Sequence, residues 1–291
     1  MKILHQNASE KTFKFICVWI FGIWFVYILL DPLISLAQYP KSLYFPAGFL
    51  LKFLPKNIFY IPVTYPFLLF LKISLLLSIG SVILGYRKKW TALGACFLLT
   101  VFEGIVRSFG HINHPELPLL FSVFVLTIFF FFEDSIDTSN KDISKYSIPL
   151  LAILFIVCLS YCFAGIHRLI ARGIEIYGTN TITFWVIEEG KRSRLLNWHM
   201  EDLMLTNPFI SLIIKVGFPL VTIFEILAPF CLVSRQFKYL WLMVMVPFHM
   251  MVWTFMGIFF WANFALYILF FDFNVFLDRG KKPWTVSFKS L

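Results

Sequence analysis

The chain has 291 residues, of which 59% are hydrophobic and only 14% charged, with 37 phenylalanines and a formal net charge of +9. A soluble domain is usually nearer a quarter charged, and a mean hydropathy of +0.81 points the same way. Nucleic acid is excluded as the reason for the positive charge, because the basic residues sit in short segments between apolar runs and form no basic module.

Lys2, Lys11 and Lys14 precede an apolar run from Phe15 to Leu30, and the first span is predicted at about 13–30. Ser35-Leu36-Ala37 resembles a signal-peptidase site, but the run is long and Asp31-Pro32 intervenes, so a retained first span is predicted. Residues 31–61 hold three prolines after Asp31-Pro32 and end in Phe59-Tyr60, the pattern of a membrane-surface segment. Further spans are predicted at about 62–85, 90–110, 117–132, 147–167 and 209–233. Each covers the ~20 residues that a ~30 Å hydrocarbon layer demands, with some tilt. The run from Tyr239 to Phe271 carries no charge unless His249 is protonated. As one helix it would be roughly 50 Å long, so a break at Gly257 is expected, leaving two spans or one span plus an interfacial segment. The fold class is therefore an all-α polytopic transmembrane bundle of about 7–8 spans in one membrane domain covering 1–291. Residues 168–208 form its long extramembrane loop, and a solvated loop is expected at 133–146.

With the N-terminus inside, Lys2, Lys11, Lys14, Arg87, Lys88, Lys89, Lys141, Lys145, Arg235 and Lys238 fall on the cytoplasmic side, and the outer loop 108–116 carries no Lys or Arg. The outer segments 31–61 and 168–208 are also basic and oppose this placement. Cys17, Cys96, Cys158, Cys162 and Cys231 all lie in apolar runs, so neither a disulfide framework nor a zinc site is expected. Cys158 and Cys162 share a helix face, which packing by small side chains explains.

Ionisable groups inside the runs need a reason to be there, because each costs about 2.5–3.5 kcal/mol or more at the centre of a spanning helix. The third span carries Glu103 and Arg107, an i,i+4 pair, and His111 and His114 continue toward its end. Lys72, Lys215, Glu225 and His249 lie in other spans. Either these groups pair and hold the bundle together, or they line a polar cavity. Alternation of the spans brings Asn113-His114 and His167-Arg168 to the same side, with His249 near mid-membrane below them. No phosphate-binding glycine loop, zinc-protease helix or nucleophile elbow is present. Two histidines at 111 and 114 without carboxylate or thiolate partners do not make a metal site.

Several short stretches resemble one family. Phe248-His249-Met250-Met251, running on to Met256-Gly257-Ile258, resembles a signature of the horizontally transferred transmembrane domain proteins, which include the vitamin K-dependent gamma-carboxylases. Asn113-His114, Ala164-Gly165-Ile166-His167-Arg168-Leu169 and Glu225-Ile226-Leu227-Ala228-Pro229 resemble further stretches in the same order, and Asp31 with Tyr44-Phe45-Pro46 fits the first span and loop. The resemblance implies a reduced, vitamin K-like naphthoquinone as cofactor. In the carboxylases a lysine deprotonates it, oxygen adds, and the resulting strong base removes a gamma proton from a protein glutamate, to which carbon dioxide adds. Carried over, Asn113 and His114 would hold the quinone oxygen and His249 would complete the pocket.

This sequence departs from that pattern at the base. Arg168 stands where the second lysine acts, and a guanidinium effectively cannot lose its proton. Arg168 remains an anion or carbonyl clamp, His167 becomes the candidate base, and Lys215 is a remoter one. The sequence ends at Leu291, before the large C-terminal region of the full carboxylases, which argues against glutamate carboxylation. The implied activity is that of a quinone-linked membrane enzyme in a bacterial inner membrane or its equivalent, acting on the quinone or on an exported peptide. The alternatives are a non-catalytic membrane partner in maturation or export of a secreted peptide, docking through 168–208, and a small-solute transporter. The bilayer is the one partner common to all.

Overall fold

The computed structural model describes residues 8–44, 61–109, 116–136, 144–177, 181–192 and 202–271. Among them there is no strand, and seven helices are long and apolar enough to cross a membrane. The chain is an all-α polytopic integral membrane protein.

Local chemistry sets the helix ends. Helix α1, Glu10–Leu30, starts where the Ser9 hydroxyl accepts from the Thr12 amide at 3.2 Å. It stops at Asp31, held extended (ψ 129°) by the following proline. Helix α2, Tyr65–Ile83, and helix α3, Lys88–Arg107, are joined by a tight turn. Gly85 takes φ +76° there, and Arg87 takes φ +42°, a left-handed conformation uncommon for a residue with a side chain. Helix α4 is Leu117–Phe132 and helix α5 is Ser147–Arg172. Helix α5 runs five residues past the expected end of the fifth span, which draws His167 and Arg168 into a helix.

The stretch read as an extramembrane loop is itself structured. Helix α6, Thr181–Arg192, and the short helix α7, Asp202–Thr206, lie within it, and Ile182, Val186 and Met204 are buried. Helix α8, Pro208–Ile226, is capped by Asn207, whose side-chain oxygen accepts from the amides of Phe209 and Ile210. It ends sooner than its apolar run because Pro229 supplies no amide hydrogen, and Ala228–Leu232 winds as a tighter 3-10 helix. Helix α9, Arg235–Met256, is capped by the Ser234 hydroxyl and terminated by Gly257 at φ +64°. The apolar stretch Trp261–Phe270 follows as helix α10, Trp261–Tyr267, with a 3-10 turn, and it is too short to span. The long run 239–271 is thus one span plus a short segment, broken at the expected glycine.

The chain forms two compact units. One comprises Ile112–Ser122 and Ala152–Tyr267, and the other His5–His111 with Val123–Leu151 and the residues from Ile268. In the second unit α1 packs on α2 and α2 on α3. Phe13 lies 4.9 Å from Phe129 and stacks on Tyr146 at 5.4 Å, while Phe21, Trp24 and Phe102 are wholly buried. Its intramembrane ions are met within one helix or between helices consecutive in sequence. Arg107 makes two bonds to one oxygen of Glu103 on the same helix, at 2.9 and 3.1 Å, and Lys72 donates to the backbone carbonyl of Asp31 at 2.7 Å. Burial pushes the Asp31 carboxyl above its ordinary value, against the pull of Lys72 and a hydrogen bond from Tyr27.

In the first unit the Trp241 indole donates to the Phe224 carbonyl at 2.9 Å, tying α9 to α8. Gly165 gives α5 its close approach to α8: a methyl group there would lie 2.9 Å from Ile226 Cγ1 and 3.1 Å from the Ile226 backbone nitrogen. Lys238, read from sequence as a cytoplasmic loop cation, is fully buried, with its amine 4.5 Å from the centre of the Tyr239 ring. All five cysteines are free thiols, and Cys158 has Cys231 as a thiol neighbour.

Candidate ligand cavity

A cavity of about 1000 Å³ lies within the first unit, bounded by α5, α6, α8, α9 and the first turns of α4. Its wall is mostly apolar: Leu117, Ile182, Val186, Phe218, Val252 and Phe255 all contribute. A few polar groups interrupt that wall, namely Tyr161, His167, Arg168, Glu225, His249 and Asn263. An apolar concavity with a few convergent polar groups is the ordinary form of a small-ligand site.

His249 comes from the middle of α9 and is only 3% exposed. Its ring is boxed by others, with Phe260 at 4.9 Å, Phe248 at 5.2 Å, Tyr161 at 5.9 Å and Tyr267 at 6.0 Å between centroids. Nε2 lies 3.0 Å from the Tyr161 hydroxyl, which lies 2.8 Å from the Tyr267 hydroxyl. Nδ1 is buried and has no hydrogen-bond partner among the described residues. An unmet nitrogen of this kind costs about 1–3 kcal/mol, and a ligand oxygen would relieve that cost.

Arg168 is occupied. Its guanidinium donates to both oxygens of Glu225, at 2.6 and 3.1 Å, and to the Thr222 hydroxyl at 2.9 Å. Its carbon also sits 4.8 Å over the Phe218 ring. The planar fork suits this two-pronged bond in a way that a lysine amine does not. Arg168 therefore locks α5 to α8 and carries its charge already compensated.

No protein-family profile, no curated protein and no solved structure matches this chain.

His167 lies on the same helix as Arg168, lines the cavity and is exposed. His249 and Arg168 share that cavity with it. Lys215 is half-buried and is not part of the lining. Asn113 and His114, with His111, fall outside the described residues, so the expected meeting of Asn113 and His114 with His249 has no geometry to report. Glu103 pairs with Arg107 and Glu225 with Arg168, as the pairing reading expects, whereas Lys72 is met by the backbone carbonyl of Asp31.

Tyr161, Thr222 and Tyr267 were not singled out by sequence reasoning. One signal was present. Tyr161, Gly165 and Arg168 recur at the i, i+4, i+7 spacing of a single helix face, so a face carrying Arg168 toward a partner also carries Tyr161.

Proposed function

We propose that the first unit binds a lipophilic ligand bearing an oxygen at its polar end, with that oxygen directed at His249 Nδ1. The observation that carries this reading is a large, mostly apolar cavity lined by His249, whose buried Nδ1 has no hydrogen-bond partner among the described residues. The cavity wall also includes Phe163 and Met243, which are 64% and 73% exposed on spanning helices. Such side chains face hydrocarbon in a bilayer, so a ligand can enter sideways from the lipid. A reduced naphthoquinone has the required character, and it is the class that the resemblance to the gamma-carboxylase family implies. Asn113 and His114 are proposed to join His249 around it. The protein is proposed to sit in a bacterial inner membrane or its equivalent, with the N-terminus on the cytoplasmic side.

Binding draws more support than glutamate carboxylation. The position of the family's lysine is held by Arg168, whose charge is spent on Glu225, and the neighbouring titratable base on the cavity wall is His167. That same pair favours the second reading, a non-catalytic membrane partner in maturation or export of a secreted peptide.

Mass spectrometry of lipid-like molecules that co-purify with the detergent-solubilised protein tests this. Wild type should retain a naphthoquinone, and a variant combining His249→Ala with Asn113→Ala should lose it. Absence of quinone from both samples would discard the quinone reading and leave the non-catalytic one standing.

A further inference from the structure

Inside the membrane the second unit matches its own charges, but at one polar end it does not. By alternation of the spans, the start of α1, the turn between α2 and α3, the end of α4 and the start of α5 all fall at that end. Side-chain contacts join them there. Lys89 of α3 bonds Asp134 just past α4 at 2.8 Å, Lys145 before α5 approaches Glu133 at 3.9 Å, and Lys14 pairs with Glu10 on α1. Each described carboxylate at this end thus has a lysine. Arg87 and Lys88 are left over. Among the described residues neither pairs with a carboxylate, and each lies against a ring, Arg87 at 5.7 Å from the centre of Tyr86 and Lys88 at 5.9 Å from the centre of Phe130.

The surroundings of the turn are those of a membrane border. Tyr86 and Trp90 are 62% and 67% exposed. Trp90, Leu93 and Phe97 recur at the i, i+3, i+7 spacing of one face of α3, and all three are exposed. On a spanning helix such a face lies against acyl chains, and Tyr and Trp at its end mark the headgroup level. The backbone adds an independent observation. Arg87 takes φ +42°, which glycine or asparagine accepts with less strain, and its side chain makes no cap bond to the helix. Charges that only set orientation need no strained residue. A strained position held by an arginine points to a use for the guanidinium.

We propose that Arg87 and Lys88 bind the phosphate of an anionic phospholipid, with an acyl chain along the Trp90, Leu93 and Phe97 face of α3. A guanidinium grips phosphate through two parallel N–H bonds, and an ammonium adds a compact charge. The excess of cations at this end favours a headgroup with net negative charge over a zwitterionic one, whose own cation would be repelled. A free phosphate ion has no chain for the open face of α3. The site lies wholly in the second unit and does not rest on the cavity or its ligand.

Native mass spectrometry of the full chain in detergent tests this, titrated with phosphatidylglycerol or phosphatidylcholine of the same chains. Wild type should bind the first more tightly by on the order of tenfold, the worth of two cations at a membrane surface. Arg87→Asn combined with Lys88→Gln should bring the two lipids within about twofold of each other and leave phosphatidylcholine uptake unchanged. Asparagine suits the left-handed turn, so this variant should unfold no earlier than wild type. Lys88→Gln alone, which leaves the turn as it is, should lose part of the preference. Lys11→Gln removes an exposed lysine from the same end and should change the preference by less than about twofold.

Equal uptake of the two lipids by wild type overturns the proposal. So does an equal loss in Lys11→Gln, which would mean diffuse attraction in place of a site. Excess inorganic phosphate should leave the bound lipid in place, and its release by phosphate would overturn the assignment to a lipid.

Discussion

The two units handle buried polarity in opposite ways. In the unit built on α1, α2 and α3, each intramembrane charge is closed within one helix or against a nearby carbonyl: Glu103 with Arg107 four residues on, and Lys72 with the Asp31 backbone. The space between is filled with rings such as Phe13, Phe21 and Phe102. In the other unit the charge pair reaches from α5 to α8, a hydrogen-bonded line runs from α10 through α5 to α9, and a cavity is left beside them. Local closure yields a scaffold that needs nothing else. Long-range closure leaves a cavity between the walls, and among the described residues His249 Nδ1 and Trp253 Nε1 there are buried without a hydrogen-bond partner. The difference separates a closed half from the half that holds the candidate site.

The sharpest way to break this contrast is at the charge pairs. Glu225→Gln leaves the guanidinium of Arg168 without its anion, and removing one partner of a buried pair costs about 3–5 kcal/mol. We expect the low end, since Arg168 keeps some exposure. Thermal unfolding in detergent should show this loss for Glu225→Gln. The double variant Arg168→Met with Glu225→Leu should recover most of that loss.

Glycines offer a second comparison. Gly165→Ala forces α5 away from the Ile226 backbone and should cost about 1–3 kcal/mol. Gly104→Ala meets nothing within 4 Å, and it should be neutral or stabilising by up to ~1 kcal/mol through helix propensity. Equal effects in the same unfolding assay would mean that the close approach of α5 to α8 does not matter.

His249→Phe separates site from scaffold. It removes an unmet polar atom from a ring-lined box together with the bond to Tyr161, whose hydroxyl keeps Tyr267, so stability should hold within about 1 kcal/mol, while co-purification of the proposed ligand should be lost. A fall of several kcal/mol would show instead that the imidazole is structural.

The smallest effect belongs to the framework unit. The Asp31 carboxyl is raised by burial from its ordinary 3.8, so between the unfolded and folded values the native state holds more protons. Stability should therefore fall slightly as pH rises through the range just above 3.8. Asp31→Asn should flatten that slope, which a comparison of unfolding temperatures across the range would reveal.

The spans were legible because a hydrocarbon layer imposes a length on apolar runs, and their ends were legible where Pro32 or Gly257 forbids the helix to continue. The end of α8 was less so, because Ala228–Leu232 is as apolar as the helix before it and only Pro229 marks the change. The twelve residues of α6 were read as loop because they mix Glu188, Glu189 and Lys191 with a narrow apolar face. Burial of Ile182 and Val186 depends on partners on α8 and α9 that local pattern does not reveal. At the site, His249 and Arg168 stood out as polar residues in apolar runs. Tyr161 and Tyr267 did not, since a tyrosine in a membrane helix is usual near the interface. The bond from Arg168 to Glu225 joins residues 57 apart, and periodicity carries no information over that distance.

That separation also bears on how the protein is made. Helix α3 can enter the lipid with its charges already matched, since Glu103 and Arg107 meet as soon as the helix winds. Helix α5 is synthesised well before α8, so Arg168 reaches the membrane while its carboxylate is still unmade. Until Glu225 arrives, α5 must keep its guanidinium at the surface, in water, or against some other acceptor. Insertion and assembly are therefore separable steps for one half of the molecule and a single coupled step for the other, and α5 settles to its final depth only when α8 comes in beside it.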